Sequence, residues 1–480
     1  MLKRHAGEIN EKTPLMVLAL PMFLEQLLNI CINNVDTIML SRHSENAVGA
    51  VGNANQIMFF MILTFNIIAT ATSVVVAQYL GAKQHKKMNM IYTLAFAVNL
   101  VVGIVLSGGL VLIKRPVLEL IKIPEVMLED ACIYVDIVGG GLFLQACYNV
   151  MLQILRCNGF ANVGMYISII ANLLNILGNW LFLYGPLSFL NLGVAGVAIP
   201  TVVARGVSLI AAVVYFYRKK IGRLAVRYIR PFPKKMLVHM IKIGLPSAGE
   251  NMSYNLYQIV LLSFINGMGA DAVKANTFCK SLISFAMVFS NTAALATQII
   301  TGHLVGAGKE DAAYKRVFQT LKLTMPITVG LAAINWLISP ITLKIFTDNQ
   351  AVIDLGFFIM LVDILIEVGR CLNMTFVSSL KAAGDYLFPF VVGLISMWGF
   401  GATMGYVAGI VLGFGVAGVF FGTATDECLR GVVNMWRWWK KKWYGKSLVK
   451  NNGNEVSPDM GPDEEEPEPV MANGPEQKSN

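Results

Sequence analysis

The sequence predicts an all-α polytopic membrane protein with twelve transmembrane helices in two related six-helix bundles. Three observations predict it. The 480 residues are 55% hydrophobic and 14% charged, with a mean hydropathy of +0.60, whereas soluble domains carry about 25% charged residues. Twelve apolar runs of membrane-crossing length follow one another, near 13–39, 51–79, 91–113, 131–155, 164–184, 195–216, 239–265, 276–302, 318–343, 354–379, 387–409 and 412–434. The second half repeats the first: Leu20-Pro21 with Glu25 returns as Leu245-Pro246 with Glu250, Ala71-Thr72 as Ala296-Thr297, Gly81-Ala82 as Gly306-Ala307, and Arg156 with Gly159 as Lys381 with Gly384, each displaced by 225 residues.

The first run sets the theme. Thr13 to about Leu40 is long enough to span, yet it holds Glu25 and Asp36 and several amides. On a helix, Glu25, Asn29, Asn33 and Asp36 fall within an arc of about 80°. This is one polar stripe on an apolar rod. A charge at the bilayer centre costs about 2.5–3.5 kcal/mol on insertion scales, so such a residue faces a cavity or a partner. Pro21 removes a backbone hydrogen bond and invites a kink, and Pro246 repeats it.

The loops set orientation. Lys and Arg cluster before span one, after span two, between spans six and seven, after span eight and after span twelve. These loops share one side if both termini are cytoplasmic, with a mixed-charge loop at 114–130 on the other. The expected organisation is a first bundle over 1–216, a basic cytoplasmic linker over 217–238, a second bundle over 239–450, and a disordered acidic tail over 451–480. Six spans per half give the halves the same orientation, related by an axis along the membrane normal. Trp436, Trp438, Trp439 and Trp443 interleave with lysines and read as an interfacial anchor in contact with membrane lipids. The net charge of +9 belongs to these loops, so no nucleic-acid partner is expected. The seven cysteines and five histidines show no metal or redox spacing. No cofactor is expected, and no cleavable signal peptide.

Two duplicated bundles with buried charge point to a secondary transporter with sites at mid-depth. In the first half, Asp36, Asn172, Asn175, Asn179 and Thr201 offer carboxylate, amide and hydroxyl oxygens to a desolvated cation, so Na+ at Asp36 is one reading. A proton on Asp36 is the other. The bland alternative is hydrogen bonding between helices, about 0.6 kcal/mol each. In the second half, Glu250, Tyr254, Tyr257 and Gln258 share a face of span seven; Lys280 lies on span eight and is expected to neutralise a carboxylate from another helix; Asp363, Glu367, Arg370 and Asn373 share a side of span ten; and Asp426, Glu427 and Arg430 lie on span twelve. Glu25 and these second-half groups form either a site that re-partners during transport or a structural ion-pair network. For Asp426 and Glu427 the expected role is structural or gating.

In LALPMFLEQ, VDTIMLSR, QYLGAKQ, LRCNGFAN, LGVAGVAIPT, GLPSAGE, HLVGAGK, IEVGRCLN, LKAAGD and DECLRG, in that order over residues 10–445, the chain resembles the multidrug and toxic compound extrusion (MATE) family. The resemblance implies antiporters that expel mainly cationic amphipathic compounds in exchange for Na+ or H+, and two bundles around a V-shaped cleft. It implies a bend at Pro21 and a coupling group of Asp36, Asn175 and Thr201. Asn179 stands where the family has a second aspartate, which leaves Asp36 the lone carboxylate of that group. In another branch, carboxylates on spans seven and ten bind the ion; here Glu250 is one turn from the usual glutamate position, and Arg370 occupies the aspartate position with Glu367 one turn away.

The expected function is therefore ion-coupled export of amphipathic, mainly cationic small molecules by a monomer in the cytoplasmic membrane. A flippase for a lipid-linked intermediate is the alternative, opposed by the acidic first span. An enzyme is disfavoured because the charges sit at mid-depth and the motifs lack a nucleophile–base pair, and a non-transporting receptor, equally disfavoured, would show itself by the absence of any counterflow.

Overall fold

The computed structural model describes residues 9–41, 45–121, 123–190 and 192–449, with Cys31, Asn33, Asn34, Asp36, Thr37 and Glu45 described by their backbone alone. The expected acidic tail, 451–480, lies outside the described residues. Twelve helical rods run in chain order: α1 Leu15–Ser41, α2 Glu45–Gly81, α3 Met88–Leu120, α4 as the bent pair Glu125–Gly139 and Leu142–Cys157, α5 Ala161–Leu183, α6 Ala195–Arg218, α7 Lys234–Asn266, α8 Ala270–Gly306, α9 Glu310–Leu343, α10 Gln350–Ala382, α11 Leu387–Val411 and α12 Gly415–Trp439. No strand occurs among the described residues. The bend in α4 is 41° and falls at Gly139-Gly140-Gly141, where a π-turn over Val135–Gly139 leaves the regular ladder. α1 and α7 continue through Pro21 and Pro246.

By length and apolar composition seven rods can cross a membrane, or eight with bent α4. Of the other four, α7, α10 and α12 hold Glu250, Glu367 and Asp426, all buried, so enclosed charge adds to their polarity, and α1 is apolar over Leu15–Ile30, with side chains beyond that described only in part. The 114–130 segment, expected as a loop, is mostly helix. Arg115 pairs with Glu119 one turn on (3.1 Å), and Lys114 reaches Asp136, so the charges are met locally and the helices extend.

Three cores define the shape. One contains residues of both halves, among them Val74, Val76, Ile154, Ile299, Leu304 and Leu380, all at helix ends next to the basic loops. At the opposite ends the core splits, one cluster confined to residues 40–198 and another to 257–424. Two lobes joined at the basic-loop end and separate beyond it form a V around a central cleft.

The joined end follows the repeat. Gln78 Nε2 of α2 donates to the Ala382 carbonyl (2.5 Å), and His303 Nε2 of α8 lies 2.8 Å from the Cys157 carbonyl. Each residue of the second bond is 225 positions from its counterpart in the first. A carbonyl only accepts, so Nε2 carries the His303 proton. On the axis, Gln298 Nε2 donates to Ser73 Oγ at 3.4 Å, across 225 residues. Close approach requires the paired glycines Gly81 and Gly306: a Cβ on either would overlap the His303 or the Gln78 carbonyl.

The tryptophan segment departs from the expected anchor. Trp436 and Trp439 are exposed, but Trp438 and Trp443 are fully buried and stack at 4.0 Å in the shared core. The chain turns back after α12, and residues 441–448 bind across the joined end. Lys441 and Tyr444 reach Asp311 (2.8 and 2.7 Å), Lys446 pairs with Asp385 (2.8 Å), and the Leu448 amide donates to Gln78 Oε1 (2.7 Å). The hydrogen bonds to Asp311 and Tyr444 raise the Lys441 pKa above the usual lysine value.

Candidate functional site

In the first lobe Glu25 and Asn29, the described part of the α1 polar stripe, face neighbouring helices of the lobe. Glu25, 4% exposed, accepts from Arg156 Nη2 of α4 at 2.9 Å. Gly164 lets α5 approach this pair; a Cβ there would stand 3.1 Å from Glu25 Oε2 and collide with Leu152. One turn on, Asn29 Oδ1 accepts from Ser168 Oγ (2.9 Å) and Asn172 Nδ2 (3.0 Å) of α5. Further along, Asn175 Nδ2 donates to Thr201 Oγ1 of α6 (3.1 Å), and Asn179 Nδ2 donates to Asn175 Oδ1 (3.4 Å). Asn175 and Asn179 are buried, and Thr201 also donates to the Val197 carbonyl (2.9 Å).

The structure thus brings together Asn175, Asn179 and Thr201, and places Asn172 with Asn29 instead. Asp36 and Asn33 belong to α1, but their side chains lie outside the described residues. The Asn175–Asn179–Thr201 group concentrates amide and hydroxyl oxygens, the donor type that hard cations take.

The second lobe repeats the pair and builds on it. Lys381 Nζ of α10 donates to Glu250 Oε2 of α7 at 2.7 Å, the counterpart of Arg156 on Glu25. Here the pair is one node of a network. Arg430 of α12 lies 3.9 Å from Glu250, 2.6 Å from Asp426 and 3.3 Å from Glu427, with its guanidinium over the Tyr254 ring. Glu427 accepts from Asn373 (2.8 Å) and faces Arg370 (3.9 Å), which pairs with Glu367; Ser290 donates to Glu367 at 3.4 Å. Asp363 precedes Glu367 by one turn, is fully buried, and neither of its carboxylate oxygens has a hydrogen-bond partner among the described residues. Four carboxylates thus meet three basic groups, with Asp363 enclosed beside them as a fifth. Among the described residues no group of three His, Cys, Asp or Glu converges as a metal site.

Lys280 corrects an expectation. Its ammonium pairs with no carboxylate among the described residues; it donates to Gln258 Oε1 of α7 at 3.4 Å and is exposed. The carboxylates it was expected to meet are enclosed on the far side of α8 and taken by Arg370, Lys381 and Arg430. Sequence reasoning also missed that Arg156 and Lys381 serve Glu25 and Glu250, although both members of each pair recur at the same displacement.

The family model described as MatE matches residues 21–181 and 246–407, one segment in each lobe. The chain belongs to the MatE family. An uncharacterized transporter of Bacillus subtilis (strain 168), YisQ, is 34% identical over 91% of this chain and 96% of its own length. A probable multidrug resistance protein of Thermotoga maritima, NorM, is 21% identical over 93% of this chain and 96% of its own. Among solved structures, an outward-facing multidrug resistance MATE family transporter superposes with a TM-score of 0.82 at 19% identity, over 90% of this chain and 96% of that one. A transporter from Pyrococcus furiosus, described by the reverse polarity of its binding pocket, gives 0.80 at 19% identity, over 89% and 95%. MatE membership makes this chain a multi-pass membrane transporter, and the solved structures share its two-lobed fold.

Proposed function

We propose that this MatE protein exports amphipathic small molecules, cationic ones foremost, across the cytoplasmic membrane in exchange for Na+ or H+, as a monomer with both termini cytoplasmic. The observation that carries the reading is the first-lobe oxygen group of Asn175, Asn179 and Thr201, set beside α1 in a two-lobed transporter fold. Relatives named as multidrug resistance proteins support the cargo class. In this reading Asp36 completes the group, and an incoming ion neutralises it. The lobes then separate at the basic-loop end, breaking the Gln78–Ala382 and His303–Cys157 bonds, and close at the other.

The driving force is sufficient. One elementary charge crossing 100 mV supplies about 2.3 kcal/mol, which sustains roughly a fifty-fold concentration ratio. A second reading has its own observation: the second-lobe excess of carboxylates, with Asp363 unpartnered, supports a proton held there. Purified protein in proteoliposomes, loaded with a fluorescent amphipathic dye and exposed separately to a sodium gradient and a proton gradient, tests the proposal. Uphill dye movement under one of the two gradients is expected. Movement indifferent to both ions would contradict it.

A further inference from the structure

Among the described side chains, Lys280 is the one charged site candidate that is exposed rather than buried. It lies ten residues into α8, about 15 Å along the helix. Facing lipid at that depth, an ammonium would cost about 2.5–3.5 kcal/mol. It does not face lipid. On a helix turning about 100° per residue, Thr277, Lys280, Ser281 and Ser284 occupy the same arc of about 100° as Gln298, Gly302 and Gly306. Those last three are the residues by which α8 meets Ser73, Ala77 and Gln78 of the first lobe. The opposite face of α8 packs into its own lobe, where Cys279 donates to the Gly356 carbonyl and Ser290 to Glu367. Thr277, Lys280 and Ser281 are exposed because the lobes have diverged at their level, so this face lines the cleft.

We infer that Lys280, with Gln258 beside it, receives an anionic group of the transported compound, so that the preferred cargo is a zwitterionic amphiphile rather than a purely cationic one. This rests on the exporter reading and specifies its substrate class. The charge balance of the wall supports it. The second-lobe carboxylates Glu250, Asp363, Glu367, Asp426 and Glu427 are at most 8% exposed. What this wall offers a solute in the cleft is therefore the ammonium, with only one neutral hydrogen-bond partner among the described residues. In a cleft with low-dielectric walls, an unopposed charge concentrates ions of opposite sign. A carboxylate accepts a charge-assisted bond from the ammonium and a second bond from the Gln258 amide.

The test compares a rhodamine bearing a free carboxylate with its methyl ester, which lacks only that negative charge. Binding to the purified full chain in detergent is read by fluorescence anisotropy, and uptake in proteoliposomes by dye fluorescence. The parent is expected to bind the acid about tenfold tighter than the ester. Lys280→Gln is expected to abolish the preference by weakening the acid alone, and Lys280→Arg to keep it. Unchanged thermal unfolding of both variants guards against a folding defect. Equal binding of the two compounds, or a preference that survives Lys280→Gln, overturns the inference. If the ester is nevertheless pumped under an ion gradient, the exporter reading stands without it; if neither compound binds or moves, both fall.

Discussion

The two lobes have the same six-helix plan and the same buried pair, yet they handle charge in opposite ways. Among the described residues of the first lobe, Glu25 has Arg156 as its one basic partner, and neutral amides and hydroxyls form the ladder beyond it. In the second lobe Glu250 has Lys381 and Arg430, and a chain of ion pairs runs on to Glu367. An amide ladder can exchange partners cheaply when an ion enters. A network of enclosed charges resists rearrangement, because each partner removed leaves a desolvated charge behind. On these terms the described contacts of the first lobe rearrange at lower cost than those of the second.

Breaking the network should cost most. Arg430→Met leaves Asp426, Glu427 and Glu250 short of a cation, and a loss of about 3–5 kcal/mol is expected, read as a fall in the thermal unfolding midpoint in detergent. A midpoint close to the parent's would show that the second lobe is not tied through Arg430. The symmetric pair sharpens the contrast. Arg156→Met removes Glu25's only basic partner among the described residues and should approach the same cost, whereas Lys381→Met should cost about half as much because Arg430 remains. Equal losses would mean that Arg430 gives Glu250 no support. The joined end should show equality where the lobe interiors differ. Gln78→Ala and His303→Ala each remove one of the paired inter-lobe bonds and, beyond the Ser447 and Leu448 bonds that Gln78→Ala also loses, should each weaken closure by about 1 kcal/mol. Cysteine accessibility near the basic loops reads this, and a large disparity would break the pseudo-twofold account. Asn29→Ala should have the smallest effect, near 0.6 kcal/mol; a loss of several kcal/mol would make the ladder structural.

Much of this was legible in the sequence. The displacement of 225 residues predicted two lobes, and it also placed Gln78 opposite His303, which only the packing turned into a paired lock. Asn175, Asn179 and Thr201 come together because helix spacing alone aligns the amides on α5, and the short connection to α6 brings Thr201 alongside. The partner of Glu25 was hidden because it depends on which face of α4 turns to α1. That face is set beyond the bend at the three glycines, and spacing says nothing of it. A lysine in an apolar run calls for a carboxylate, but Lys280 is exposed with Gln258 as its partner, and the run does not reveal which of its faces is enclosed. Trp438 and Trp443 read as interfacial because aromatic residues among lysines suit both an interface and a core, and only the backbone turn after α12 decides between them.

In the proposed exporter, neutralising one carboxylate, Asp36, in the amide-rich lobe couples the ion to the cargo. Uphill accumulation of dye by reconstituted Asp36→Asn under the gradient that drives the parent tests it most directly. The variant should still bind dye yet fail to concentrate it. Concentration to the parent's level would contradict the account.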